Sequence, residues 1–144
     1  MATRASIIFK DVEGNFLANV YKHYDGYPEY LGEELLKLTS GKIVNGLTMK
    51  PDGVHHVLGE MFNGMGCLVA SVIAKLKDQP GDVYLCPEVD YGNCGEDYLY
   101  EVIENNEGTG AVVFIKNMDG EWDFLESVLI RSSFDSILDS YHNR

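Results

Sequence analysis

The segment Tyr21-Lys22-His23-Tyr24-Asp25-Gly26-Tyr27-Pro28 gathers three tyrosines, a histidine and an aspartate within eight positions. His23 and Asp25 are two residues apart. An extended backbone would place both on one face together with Tyr21. A carboxylate beside an imidazole fixes its tautomer and raises its basicity, as general-base chemistry requires. A hydrolase or transferase would also need a nucleophile, an activated water or a metal, and none is evident in the chain. Two other readings stand beside this one. Asp25-Gly26 supplies the backbone freedom of a turn to which His23 hydrogen-bonds, or the aromatic groups and His23 hold a ligand.

Arg4 opens the first predicted strand. If that strand forms a hairpin with the next one, Arg4 falls beside His23 and Asp25, where its planar guanidinium suits a carboxylate or phosphate. A salt bridge to Asp25 is an equal alternative. Arg4, Tyr21, His23, Tyr24, Asp25 and Tyr27 thus form the candidate binding site. Its composition fits a small anionic or aromatic molecule, or a protein partner, with no cofactor.

The other constellations are weaker. Gly64 and Gly66 before a helix could offer N–H groups to an anion. The adjacent His55 and His56 diverge by about 100° on a helix, so they share a metal poorly, although His56 has Glu60 four residues on. Cys86 and Cys94 lack a CxxC partner. The oxygen-rich loop 90–97 lacks EF-hand spacing. No metal site is therefore expected.

The elements that must position these groups follow from periodicity. Ala5 to Phe9 and Phe16 to Tyr24 read as a hairpin across Glu13-Gly14-Asn15. Pro28 starts a helix with Leu31, Leu35 and Leu38 on one stripe, ended by Gly41. A short helix is predicted over 53–61. The clearest helix runs from Met65 to Asp78. Its apolar residues Met65, Leu68, Val69, Val72, Ile73 and Leu76 fall at helical spacing, which predicts a central position on the sheet. Val83 to Cys86, Tyr98 to Ile103, Ala111 to Ile115 and Trp122 to Ile130 read as strands, the last two joined across Met118-Asp119-Gly120. A final helix starts at Ser133, with Phe134, Ile137, Leu138 and Tyr141 on one stripe. The expected fold is α+β: an antiparallel sheet of about five or six strands with hairpins at both ends and helices on one face.

Length and composition bound the function. A chain of 144 residues, 45% hydrophobic and 24% charged, is expected to form one domain with its own core. Three cysteines argue against a disulfide framework. No apolar run approaches the ~20 residues that span a bilayer, and no secretory signal is evident, so a cytoplasmic protein is expected. The net charge of −12 is uneven. Residues 78–115 carry nine acids and no Lys or Arg, which disfavours nucleic acid as a partner. This stretch reads as a solvated acidic face, or as a surface that engages a basic host target. An antiparallel sheet with an open edge also predicts self-association.

Met1-Ala2-Thr3-Arg4-Ala5 and His23-Tyr24-Asp25-Gly26-Tyr27-Pro28, followed by Gly32 and Leu35, carry a resemblance. They are similar to a family of small uncharacterised proteins of tailed bacteriophages and prophages, with an N-terminal Met-x-Thr-Arg and a His-x-Asp-x-Tyr-Pro segment. Several relatives have tryptophan where this chain has Tyr24. The specific likeness covers the first ~40 residues. It implies a phage or mobile-element setting and no particular activity. The expected function is that of a phage accessory protein that binds a small molecule or a host protein.

Overall fold

A computed structural model describes residues 2–47 and 60–142. Strand β1 (Ala5–Lys10) and strand β2 (Phe16–Lys22) form the expected hairpin, with Ala5 opposite Lys22 and Ile7 opposite Val20. A β-bulge shifts the register between Phe9 and Lys10. The chain then makes one π-helical turn (Pro28–Gly32) that runs directly into α1 (Glu33–Leu38). Helix α1 ends before the predicted Gly41: Thr39 leaves the helical conformation (φ −105°, ψ 5°), and its Oγ1 donates to the Leu35 carbonyl (2.7 Å). Two short parallel strands, β3 (Lys42–Val44) and β4 (Met61–Asn63), make a small second sheet that periodicity does not reveal. The helix predicted over 53–61 lies mostly outside the described residues, and Met61 belongs to β4.

Helix α2 (Met65–Leu76) and strand β5 (Val83–Cys86) fall where expected. Strands β6 (Tyr98–Glu104) and β7 (Ala111–Asn117) pair as a hairpin. Strand β8 is only Asp123–Phe124, and α3 begins at once, running Leu125–His142. The predicted strand Trp122 to Ile130 is therefore corrected. Its apolar residues Leu125, Val128 and Leu129 also satisfy helical spacing, and packing of Leu125 into the core selects that alternative.

The six-stranded sheet has the order β5-β2-β1-β6-β7-β8. All neighbouring pairs are antiparallel except β1 and β6, which run parallel at its centre. The α+β architecture is as expected, with this one departure from antiparallel pairing. Pleating divides each strand between two faces. Ala5, Ile7 and Phe9, with Val20, Tyr100 and Val102, face the helices and share a core with Leu31, Leu35, Leu68, Val72 and Leu125. The Pro28–Leu38 segment sits between α2 and α3, so α2 lies towards β2 and is not central. Gly32 permits this crowding, since a Cβ there would stand 2.9 Å from Leu125 Cδ1.

The opposite face is covered by chain rather than by helices. The connection from β5 to β6, residues 87–97, must cross β2 and β1 to reach its strand. The buried Glu96 pins it there by accepting from Ser6 Oγ (2.8 Å), Gly92 N (2.7 Å) and Cys94 N (2.6 Å). Tyr91 reinforces the flap by donating its hydroxyl to the Tyr100 carbonyl (2.7 Å).

Candidate functional site

Tyr21 and His23 follow the same alternation on the face away from the helices. Tyr21 stands opposite Tyr84 of β5, with ring centroids 6.1 Å apart. The Tyr21 hydroxyl and His23 Nδ1 share a hydrogen bond of 2.8 Å. The exposed Tyr24 meets the His23 ring edge-on, 4.6 Å between centroids. With Gln79, Pro80, Gly81 and Asp82, these four rings line a cleft of about 560 Å³. Burial pushes the Tyr21 phenol above its ordinary value of 10.0, and the positive charge of Arg4 opposes it.

The wall of the cleft is fixed by charge. Asp82 lies at the centre of a three-residue turn, with φ of 62° and a bond from Val83 N to the Gly81 carbonyl (2.7 Å). A left-handed conformation is sterically costly for most side chains, and aspartate is among the residues that tolerate it best. The Asp82 carboxylate accepts from Lys22 Nζ (2.6 Å) and from Tyr24 N (2.9 Å), and its carbonyl accepts from His23 N (2.8 Å). Burial opposes its ionisation, but these donors outweigh burial and hold the carboxyl below its ordinary value. On the other side of the turn, Lys77 Nζ donates to the carbonyls of Gly81 (2.8 Å) and Val83 (3.0 Å) and lies 5.6 Å from the Tyr84 ring centroid. Both ammonium groups near the cleft are thus committed to its scaffold.

The six predicted site residues divide. Tyr21, His23 and Tyr24 come together in the cleft. Arg4, Asp25 and Tyr27 are not among its lining residues. Strand β2 ends at Lys22, and Asp25 takes a φ of 57°, so the two-residue alternation that would align Asp25 with His23 does not continue. No hydrogen bond or ion pair joins Asp25 to His23 or to Arg4 among the described residues. The Asp25 carbonyl instead accepts from Leu31 N (3.3 Å), tying the turn to the helix that follows. Tyr27 packs edge-on against Tyr30.

Gly26 explains the neighbouring motif in structural terms. Its N–H donates to the Thr3 carbonyl (2.9 Å), its carbonyl accepts from the buried Tyr100 hydroxyl (2.8 Å), and a Cβ on it would stand 2.7 Å from the Cβ of Ala5. Thr3 and Ala5 of the N-terminal motif and Gly26 of the second one therefore meet as a single joint. Arg4 itself anchors the flap: its N–H donates to Asp97 Oδ2 (3.0 Å) and its carbonyl accepts from Asp97 N (2.8 Å).

The acidic stretch is largely consumed within the protein. Of its nine carboxylates, Asp82 pairs with Lys22, Glu101 with Lys10 (3.6 Å), Asp97 holds Arg4 N, Glu104 accepts from Val12 N (3.1 Å), and Glu96 pins the flap. Among the described residues no group of three or more His, Cys, Asp or Glu is placed to hold a metal ion, and His55 and His56 fall outside them. Burial, with nearby Asp90 and Glu96, raises the thiols of Cys86 and Cys94. Gly64 N–H is taken by the Val44 carbonyl (3.0 Å), so it is not offered to an anion. No helix among the described residues is long and apolar enough to cross a membrane.

Sequence reasoning missed Tyr84 and Asp82, which line the same cleft. The only local signal is the turn-forming Gln79-Pro80-Gly81 that follows the predicted helix. No family model matches the chain, and no curated protein or solved structure matches it.

Proposed function

We propose that this chain is a small-molecule binding module that takes a flat aromatic ring into the Tyr21/His23/Tyr24/Tyr84 cleft. The phage or mobile-element setting implied by the N-terminal resemblance belongs to the same proposal. One observation carries the reading: three phenols and an imidazole, brought from two strands and a turn, line one opening whose wall is held by a nearly buried ion pair. Aromatic side chains stack planar rings at a gain of about 0.5–1.5 kcal/mol per pair beyond burial. A pinned wall lowers the ordering cost of binding. Lys22 and Lys77 are both engaged, which favours an aromatic ligand over a free anion.

A thermal-shift screen of nucleobases, nucleosides and other aromatic metabolites tests this. A true ligand at about 100 times its Kd adds about 2.7 kcal/mol of stability, and Tyr84→Ala or His23→Ala abolishes the shift. Absence of any hit, or hits indifferent to both substitutions, refutes the proposal.

A further inference from the structure

Two of the three cysteines lie on one face of the sheet and the third on the other. Cys86 ends β5 directly opposite Asn19 of β2. Asn19 alternates with Val20, which faces the helices, so Asn19 and Cys86 belong to the face that the flap crosses. Cys94 lies in that flap. Its N–H donates to one Glu96 oxygen (2.6 Å), the other accepts from Ser6 Oγ (2.8 Å), and Ser6 stands opposite Tyr21. Cys67 sits on α2 and packs against the helix side of the core, so the sheet separates it from both.

Two consecutive turns fold the flap back towards β5. Asp90 N donates to the Pro87 carbonyl (3.2 Å) and Asn93 N to the Asp90 carbonyl (2.9 Å), which keeps the ends of each turn within about 7 Å. The Cys94 thiol reaches back to the Asp90 carbonyl (3.4 Å). Asn19 Nδ2 holds the Pro87 carbonyl (2.9 Å) next to Cys86. Both thiols are half-buried and free, within reach of a small reagent. We infer that Cys86 and Cys94 are a modification site, closed by a small-molecule disulfide into a reversible bond that ties the flap to edge strand β5.

The exchange balances without a metal. One thiolate attacks a sulfur of the small disulfide, forming a mixed disulfide and expelling the first small thiolate. The second protein thiolate attacks the protein sulfur of that intermediate, forms the Cys86–Cys94 bond and expels the other small thiolate. The protein loses two electrons, and the two protons pass to the leaving thiolates. The surroundings separate rate from stability. Burial raises both thiols, Asp90 and Glu96 add to each, and Cys86 adds to the rise at Cys94. Few thiolates form at neutral pH, so closure is slow. A reduced form that gains nothing from ionisation is poorly stabilised, so the closed form resists reduction.

The full chain, folded and in urea, is equilibrated with glutathione and glutathione disulfide, quenched in acid, alkylated and digested with chymotrypsin. Cleavage after Tyr91 leaves the two cysteines on peptides joined only by the bond. The expected result is a Cys86–Cys94 link with Cys67 alkylated. For a nine-residue loop, its equilibrium constant is roughly 50–100-fold larger in the folded chain than in urea. The melting temperature rises by about 5–10 °C and returns on reduction. Cys86→Ser or Cys94→Ser abolishes both the link and the shift, whereas Cys67→Ser keeps them. A folded-state constant less than ~10-fold above that in urea overturns the inference. So does a link through Cys67, or glutathione adducts that persist on both thiols in place of the link.

Discussion

Replacing Asp82 by Asn removes one charge from the wall of the cleft and little else. Asparagine also tolerates positive φ, and its amide oxygen still accepts from Tyr24 N, which Asp82 Oδ1 holds at 2.9 Å. What is lost is the partner of Lys22, an ammonium whose side chain is only 15% exposed against a carboxylate at 10%. Removing one member of a fully buried pair costs about 3–5 kcal/mol, mostly from the charge left behind. Residual exposure brings this to about 2–3 kcal/mol. At about 3–4 °C per kcal/mol for a domain of this size, the melting temperature falls by about 6–12 °C. The assay is thermal unfolding of the wild type, Asp82→Asn, Lys22→Met and the double variant at neutral pH. Once the ammonium is gone, the second substitution costs less, so the cycle shows a coupling of about 1.5–2.5 kcal/mol. pH supplies a second check. The Asp82 carboxyl is depressed in the folded protein below its ordinary 3.8, so its contribution is fully present above that value and is lost as pH falls through the folded-state value. The gap between wild type and Asp82→Asn therefore closes in acid below pH 3.8. Additive single effects, or a gap that widens on acidification, would refute a wall held by this pair.

Three further outcomes are expected. Gly26→Ala places a Cβ 2.9 Å from the Thr3 carbonyl and 2.7 Å from Ala5 Cβ; backbone cannot yield as a flexible side chain would, and urea unfolding shows a loss of about 3 kcal/mol. Glu96→Gln weakens a carboxylate that three donors share; it costs about 1–3 kcal/mol, and hydrogen exchange speeds up at Gly92 and Cys94 while the β1 amides stay protected. The raised thiols of Cys86 and Cys94 alkylate more slowly with iodoacetamide at pH 8 than a free thiol, and unfolding in urea removes the difference; equal rates in both states would count against the buried, acidic setting.

The parts legible in the sequence were those set by neighbours along the chain. The β-branched and aromatic run Ala5 to Phe9 and the alternation in Phe16 to Tyr24 and Tyr98 to Ile103 marked strands, the Met65–Leu76 stripe marked a helix, and the turn at residues 13–15 joined a hairpin, because pleat and helical pitch act over a few residues. Tyr21, His23 and Tyr24 were legible as a cluster because they are near neighbours in the chain, and they do line one cleft. Their partners were not: Tyr84 and Asp82 lie about 60 positions away in sequence, and only pairing of β2 with β5 brings them near. The parallel union of β1 with β6, the flap over the second face and the start of α3 at Leu125 also depend on which surfaces cover one another. Local pattern specifies which face of a segment is apolar. Tertiary structure decides what meets that face, since burial is non-directional and several partners satisfy the same pattern until the whole chain excludes all but one.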